Sequence, residues 1–389
     1  MPRVPFSPFA MLRTETVRIE DQYKGIREIS KQLDITNAKI LSAMWKYGPR
    51  NLLEVSRRTG IPFTSVYHRV AKLEAKSRRV ASLMPTISKL GMMKVVVLAA
   101  ANPGYEEKVT AALEIPNFWW SHTRTEGLFT HYSIHAVPVK FLKDLRKYLR
   151  RIQELKLVSR LRVIMTGGYF PNFPNFDYYK PSTRQWTFEW NKWLTTLKRN
   201  SPSKTIEDPE SYPVLVDRKD LLIIKELEKN ARRSFADLAP ILGISLQGVK
   251  YHFDRKLSRN GIVQHYGFDI VPYPMEVSAY HEAMLEFPNA KAMNKFVSIV
   301  KELFFVLGIS KVLRRNALLV RTYILESQLQ NMFAFFSEMA KAGLLESYSS
   351  IRLNFADRHM QTISYELFDE KKGWTFDVQK CLSALSKLR

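Results

Sequence analysis

The strongest constraint on the fold is a residue pattern that occurs twice in this sequence, at a fixed distance of 183 positions. Asp34 begins a run of apolar residues at helical spacing, and Asp217 begins a similar run 183 positions later. The same distance separates the dipeptide Gly60–Ile61 from Gly243–Ile244. A repeat of this length predicts that one multidomain unit occurs twice in tandem.

The start of each copy predicts three helices. In the second copy, Asp217 is a favourable N-cap, and the apolar residues after it recur every three or four positions. Gly243 stands where the tight turn between the second and third helices needs a left-handed residue. The third helix is expected from about Leu246 to Arg259, with an inward stripe at Leu246, Val249, Phe253 and Leu257. The corresponding stripe of the first copy is Phe63, Val66, Val70 and Leu73.

The outward face of each third helix is rich in basic, aromatic and hydroxyl or amide side chains. Such groups suit phosphates and base edges in the major groove of DNA. The segments KSRRVASLMP and SRNGIVQHYGF, which follow the third helices, each predict a turn and two short strands, the wing. Three-helix units also serve as protein-interaction or dimerisation modules, but two basic copies at one distance favour DNA. The predicted DNA contacts are Thr64, Ser65, Tyr67, His68, Arg69, Lys72, Lys76, Arg78, Arg79, Gln247, Lys250, Tyr251, His252, Arg255 and Arg259.

The formal net charge of +23 favours a polyanionic partner, and nucleic acid is the first to consider. An anionic membrane surface or an acidic protein would also suit this charge, and a basic proteome would explain it without any partner. The sequence has no apolar run of about 18 residues and no signal-peptide pattern. We therefore expect a cytoplasmic, nucleoid-associated protein without a membrane partner. Its single cysteine, Cys381, excludes an intramolecular disulfide and is interpreted as an ordinary buried thiol.

The second copy resembles the N-terminal pattern of the leucine-responsive and asparagine regulators, the Lrp/AsnC family. The first copy matches this pattern less closely, because Asn51 and Pro62 stand where the second copy has serines. In that family a βαββαβ ferredoxin-like (RAM-type) domain follows the winged helix, mediates assembly and often senses small molecules. The resemblance implies double-stranded DNA as the partner, with a small-molecule effector and a homodimer as further candidates. The residues on which the resemblance rests are Asp217-x-x-Asp220-x-x-Ile223-Ile224-x-x-Leu227-x-x-Asn230-x-Arg232-x-Ser234, Leu238-Ala239 and Gly243-Ile244-Ser245.

Hydrophobic periodicity after each winged helix agrees with this βαββαβ order. In the first half it runs from the strand MKVVVLAAA to the strand SRLRVIMTG, and in the second from VSAYHEAMLEF to SYSSIRLNF. The predicted fold class is therefore α+β, with two tandem repeats of a winged helix-turn-helix and a ferredoxin-like domain. A Trp-Thr-Phe tripeptide ends both halves and is expected to dock each half. The predicted boundaries are 1–33 for an N-terminal extension, 34–85 and 216–270 for the winged helices, 90–194 and 274–389 for the ferredoxin-like domains with their Trp-Thr-Phe tails, and 195–215 for a linker.

Two other functions compete with a regulator. The siroheme decarboxylases look like the same unit, and His122, Arg124 and His131 on a predicted hairpin could meet an anionic tetrapyrrole. A histidine in a strand is more often structural, however, and the corresponding segment of the second half has none. A non-specific architectural DNA-binding protein is the other alternative, because the aromatic residues of segment 171–194 could stack on bases; the repeated Trp-Thr-Phe favours packing instead.

Motifs for common enzyme chemistry are absent from the sequence. It has no glycine-rich phosphate loop, no zinc-type His/Cys spacing and no hydrolase motif. The sequence therefore predicts a transcription regulator that reads double-stranded DNA sequence-specifically through an intramolecular pseudo-dimer of winged helices. It further predicts that the chain is not an enzyme and needs neither metal nor cofactor.

Overall fold

The computed structural model describes residues 26–77, 80–199, 201–202 and 205–388, without the side chains of Lys76 and Phe355. Residues 26–31 are helical and bury Ile26 and Ile29. Residues 1–25 of the predicted N-terminal extension lie outside the described residues. Across the described ranges, no helix is long and apolar enough to cross a membrane.

The two halves present their main elements in the same order. In the first half these are α1 Ile35–Tyr47, α2 Leu52–Thr59, α3 Phe63–Ser77, β1 Ala81–Pro85, β2 Met92–Ala101, α4 Glu106–Glu114, β3 Trp119–Glu126, β4 His131–Pro138, α5 Leu142–Glu154, β5 Val158–Pro171 and α6 Trp190–Arg199. In the second half they are α7 Arg218–Lys229, α8 Phe235–Leu242, α9 Leu246–Tyr251, β6 Val263–Phe268, β7 Ser278–Glu286, α10 Ala290–Ile299, β8 Val306–Val312, β9 Ala317–Leu325, α11 Leu329–Lys341, β10 Ser347–Met360 and α12 Val378–Ser386.

Local sequence explains both helix trios. Asp34 caps α1 by accepting a backbone N–H of its first turn, and Asp217 and Asp220 form a reciprocal capping box at α7. Gly60 and Gly243 end α2 and α8 in the left-handed conformation. Each trio encloses its own apolar core. Three helices, with a left-handed glycine after the second, are therefore present in both halves.

The third helix of the second half differs from the continuous α-helix predicted by the sequence. After α9, residues 252–258 form a π-helix, whose hydrogen bonds run from i to i+5. Val249, Phe253 and Leu257 are four residues apart and all are buried. In the first half the stripe ends at Leu73, which corresponds to position 256 of the second half and so lies one residue before the position of Leu257. The wider π-helical turn therefore accommodates one extra residue while the stripe stays on the core side.

The wings also differ from their prediction. Instead of two strands per wing, each half supplies one strand, and β1 pairs antiparallel with β6. The register places Ala81 opposite Phe268 and Leu83 opposite Tyr266. Backbone donors and acceptors that a local hairpin would have satisfied are satisfied across the two halves. The paired strands, called the wing sheet below, thus join one winged-helix unit to the other.

The eight strands of the two α/β domains close into one barrel. Each half contributes four strands in ferredoxin-like order, β3-β4-β2-β5 and β8-β9-β7-β10, and the two sets join edge to edge through β10–β3 and β5–β8. Two of the four strands at these junctions, β5 and β10, are each 14 residues long. Their first residues pair within their own half and their last residues pair with the other half. Closure leaves the barrel without a free edge.

The segments that contain Trp-Thr-Phe cross to the opposite half. The ring of Trp186 stacks on Phe304 of the second half, with centroids 4.6 Å apart. Trp374 Nε1 donates to the Leu90 carbonyl of the first half over 2.7 Å. The helices that follow these tryptophans, α6 and α12, pack on α10 and α11 and on α5, respectively. The tails therefore dock as expected, but on the opposite domain, and the predicted linker 195–215 begins inside α6.

Charged groups are buried inside the barrel. Arg321 on β9 donates to Glu282 on β7 over 2.7 Å. Lys94 on β2 donates to the Ser310 hydroxyl over 2.8 Å. Burial disfavours an ammonium ion that has no carboxylate partner. Burial and the neighbouring Arg321 accordingly lower the pKa of Lys94 from 10.5 to about 7.

The lowered pKa of Lys94 predicts a pH-dependent stability. Between pH 7 and 10.5 the folded state binds fewer protons at Lys94 than the unfolded state does, so this residue's contribution to stability increases as pH rises. We expect Lys94→Met to raise the free energy of unfolding at pH 6 by roughly 1–3 kcal/mol, with a smaller gain at pH 10. Urea denaturation at both pH values measures this difference, and equal gains would contradict it.

Candidate nucleic-acid interface

Most of the residues predicted to contact DNA lie on the exposed faces of the third helices. These faces combine cationic, aromatic, hydroxyl and amide groups, which suit phosphates and base edges. The side chain of Lys76 and all of Arg78 and Arg79 lie outside the described residues. The exposed members are Thr64, Ser65, Tyr67, His68, Lys72, Gln247, Lys250, Tyr251, Arg255 and Arg259.

Arg69 and His252 were predicted to contact DNA, but their side chains interact within their own helix trios. They stand 183 residues apart, at equivalent points of the two third helices. Arg69 Nη1 lies 2.7 Å from Asp34 Oδ2, and His252 Nδ1 lies 2.6 Å from Asp220 Oδ1. Each side chain therefore links the third helix to the acidic N-terminus of the first helix of its unit.

Asp217, Asp220 and His252 bring three candidate metal ligands together. Lys256 forms an ion pair with Asp217 and lies 3.7 Å from Asp220 Oδ2. Burial acts to raise the pKa of Asp217, but its hydrogen bonds to Lys256 and to the backbone lower it, whereas burial raises the pKa of Asp220. Since the ammonium group and the helix cap already engage these carboxylates, the cluster fits a helix-packing role better than a metal site.

Two apolar residues of the predicted inward stripes are exposed. Phe63 and Leu246 begin the third helices and have relative exposures of 45% and 46%. The Phe63 ring lies 6.2 Å from the Tyr67 ring, on the face that carries the candidate DNA contacts. At the first helical position a side chain precedes the turn that would bury it, so periodicity alone misassigns it. Both residues join the candidate interface, where apolar groups can contact thymine methyls.

The two winged-helix units are docked on each other through the loops between their first and second helices. Arg50 Nη1 donates to the carbonyls of Ala231 and Arg233 over 2.7 and 2.9 Å. From the other unit, Arg232 donates to Glu74 over 2.6 Å and to the Pro49 carbonyl over 2.8 Å. These reciprocal contacts and the wing sheet fix the relative placement of the two third helices.

The histidines of the predicted hairpin lie under α4. His131 Nε2 lies 3.0 Å from the Glu106 carbonyl of that helix. His122 is buried 5.3 Å from His131, between ring centroids, and burial together with the neighbouring histidines lowers its pKa. Neighbouring residues on the two strands, Ser121 and Ile134, point instead to a cavity at the barrel. Strand alternation therefore places His122 and His131 on the opposite face of the sheet from that cavity.

Comparison with known proteins identifies the second helix trio. Residues 216–264 match a family model described as winged helix-turn-helix DNA-binding. This match confirms a DNA-binding winged helix in the second half. A search of curated proteins found no match.

Solved structures with similar folds fall into two groups. Siroheme decarboxylase NirDL is 13% identical, with a TM-score of 0.49, over 90% of this chain and 97% of that one. An AsnC family transcriptional regulator from Agrobacterium tumefaciens is 15% identical, with a TM-score of 0.28, over 34% of this chain and 89% of that one. A transcriptional regulator from Neisseria meningitidis, solved with L-Met, is 17% identical, with a TM-score of 0.29, over 34% of this chain and 88% of that one.

These comparisons correct one prediction. The sequence predicted that the chain is not an enzyme, and this is contradicted because NirDL, which matches along 90% of the chain, is an enzyme. At 13% identity the likeness concerns the fold. It gives this chain neither a substrate nor a reaction.

The docking of the winged helices predicts a large effect at Arg50. Arg50→Ala removes both carbonyl hydrogen bonds and a guanidinium group 4.3 Å from the Phe235 ring. We expect a loss of about 2–3 kcal/mol in the free energy of unfolding, because hydrogen bonds from a charged donor are lost. Urea denaturation measures it. Arg57→Ala is the control, since the Arg57 side chain is 69% exposed; similar losses in both variants would contradict the role of Arg50.

Proposed function

We propose that this protein is a transcription regulator that binds double-stranded DNA through the third helices of both winged-helix units. The observation that carries the proposal is that α3 and α9 both expose cationic and aromatic side chains on units docked to each other. The winged-helix match over residues 216–264 and the net charge of +23 support it. Such a role agrees with the nucleoid-associated, cytoplasmic address expected from the sequence.

We further propose that the two halves form an intramolecular pseudo-dimer that arose by tandem duplication. The 183-residue repeat, the common order of elements and the pairing of β1 with β6 support this origin. The two third helices differ in sequence, with Tyr67 and His68 standing where the second half has Lys250 and Tyr251. Each helix would then read a different half-site, so the preferred DNA sequence need not be a palindrome.

The proposed division of labour follows side-chain chemistry. Lys72, Lys250 and Arg255 would neutralise phosphates or contact guanine edges, since their charged groups are exposed. Gln247 can pair with adenine, and Phe63 and its counterpart Leu246 can contact thymine methyls. Specificity would come from these last contacts, while the cations supply most of the affinity.

Removal of two cations from α9 and the π-helix tests this proposal. We expect the double variant Lys250→Ala/Arg255→Ala to weaken binding to a selected duplex by roughly tenfold to a hundredfold. We also expect it to reduce the slope of log K against log salt by about 1–2. Selection from random-sequence duplexes supplies the DNA, and fluorescence anisotropy across a salt series gives both quantities.

Lys147→Ala/Arg150→Ala is the matched control, because it removes two exposed cations from α5, outside the third helices. Its effect should be smaller and should disappear at high salt. Equal losses in the two double variants would contradict binding through the third helix. Salt-sensitive binding without an enriched sequence would support the architectural alternative, and failure to bind any duplex at low salt would refute DNA binding.

A further inference from the structure

A cavity of about 260 Å³ lies between the barrel and the wing sheet. Strands of the barrel contribute Lys94, Arg321 and Arg358 to its lining, and β1 and β6 contribute Leu83 and Phe268. Small-molecule sites usually measure about 300–1,000 Å³. This cavity therefore suits a compact metabolite.

The ammonium group of Lys94 lacks a partner of opposite charge and a full set of hydrogen-bond acceptors among the described residues. It donates one hydrogen bond, to the Ser310 hydroxyl over 2.8 Å, and lies 5.1 Å from the centroid of the Tyr169 ring. Within the part of the chain that the structure describes, no carboxylate forms an ion pair with it. An ammonium group has three donors. Two donors of Lys94 are thus left for an occupant of the cavity.

Other groups at the same wall also favour an anion. Arg321 pairs with Glu282, and Arg358 Nε donates to the Ser121 hydroxyl over 3.1 Å and also experiences the charge of Asp269. The hydroxyl of Thr362, a residue that is only 6% exposed, has no hydrogen-bond partner among the described residues. Buried polar groups normally have partners. An anionic occupant would supply them here.

The remaining lining contains two acidic residues and a large apolar surface. The acidic lining residues Glu228 and Asp269 come from the winged-helix side, on α7 and directly after β6, and Glu228 accepts the Ile363 N–H over 2.7 Å. Apolar side chains from both sides complete the wall, namely Trp45, Leu83, Ile134, Phe173, Phe268 and Leu307. A small inorganic anion would leave this apolar surface uncovered.

We propose that the cavity binds a small organic carboxylate with an apolar body, whose carboxylate group is held by Lys94, Arg321, Arg358 and the Thr362 hydroxyl. The anion would compensate Lys94, and its apolar body would cover the apolar wall. Because burial lowers the pKa of Lys94 to about 7, a bound anion should raise it. Binding near neutral pH is therefore accompanied by proton uptake.

The position of the cavity connects this ligand to the winged helices. An occupant contacts the barrel on one side and, on the other, the wing sheet and Trp45 of α1. Binding would thus favour one placement of the wing sheet on the barrel and change the affinity for DNA through it. This second part rests on the proposed DNA-binding function, whereas the ligand site itself does not.

Calorimetric titration of the full chain at pH 7 tests the site. The probes are phenylacetate and hexanoate, each compared with its neutral amide, in two buffers of different ionisation enthalpy. We expect both carboxylates to bind with proton uptake, and the amides to bind at least about tenfold more weakly. Failure of both carboxylates to bind, or equal binding of the amides, would overturn the proposal.

Variants at two buried lysines identify the site. Lys94→Met should weaken carboxylate binding at least about tenfold and abolish the proton uptake. Lys311→Met is the matched control, because Lys311 is also buried on a barrel strand but forms an ion pair with Asp208 away from the cavity lining. Arg358→Gln provides a second test and should also weaken binding. Unchanged affinity in Lys94→Met and Arg358→Gln would refute the site.

A DNA titration with and without phenylacetate tests the connection to the winged helices. A shift in DNA affinity in the wild-type protein, absent from Lys94→Met, would support it. Carboxylate binding without such a shift would refute regulation through the wing sheet and leave the ligand site intact. Carboxylate binding in a protein that binds no DNA would refute the proposed function alone.

Discussion

The structure depends on the edge-to-edge pairing of two four-stranded sheets. A ferredoxin-like sheet has two edges, and each exposed edge presents unpaired backbone groups. Here β5 and β10 extend past their own sheets and pair with β8 and β3, so both pairs of edges are satisfied within one chain. This closure creates an enclosed interior with several charged residues.

The connections beyond the barrel follow from this closure. Once the halves are joined, β1 finds its partner in β6, Trp186 packs on Phe304, and Trp374 reaches the Leu90 carbonyl. Each contact crosses between halves. Independent motion of one half would break several of these contacts at once. We therefore expect the two third helices to keep a fixed placement relative to each other. Preorganisation reduces the entropy lost when a bipartite DNA site is bound.

The barrel interior contains the proposed ligand site. Burial of Lys94 without a carboxylate costs stability, and such a cost is usual at functional sites. Its position matters more than its charge alone, because the same cavity is bordered by the wing sheet that connects the two helix trios. The histidines of β3 and β4 lie under α4, whereas the cations of the cavity come from β2, β9 and β10.

Local periodicity and capping were sufficient to predict part of the fold. The helix trios, the caps at Asp34 and Asp217, the left-handed glycines and the order of the strands were all predictable, because neighbours within a few residues decide them. The repeat also predicted that these elements would occur twice. Of the candidate interface, the exposed cations of the third helices were predictable from the same periodicity.

The pairings between residues far apart in the chain were not predictable and became visible in the folded structure. The barrel closure, the shared wing sheet and the crossed tails depend on which strand edge or apolar face meets which, and a periodic pattern carries no information about its partner. The same reason explains the local errors. Arg69 and His252 looked like free helix-surface residues until the acidic caps of the first helices reached them, and Lys94 looked like an ordinary strand residue until eight strands closed around it.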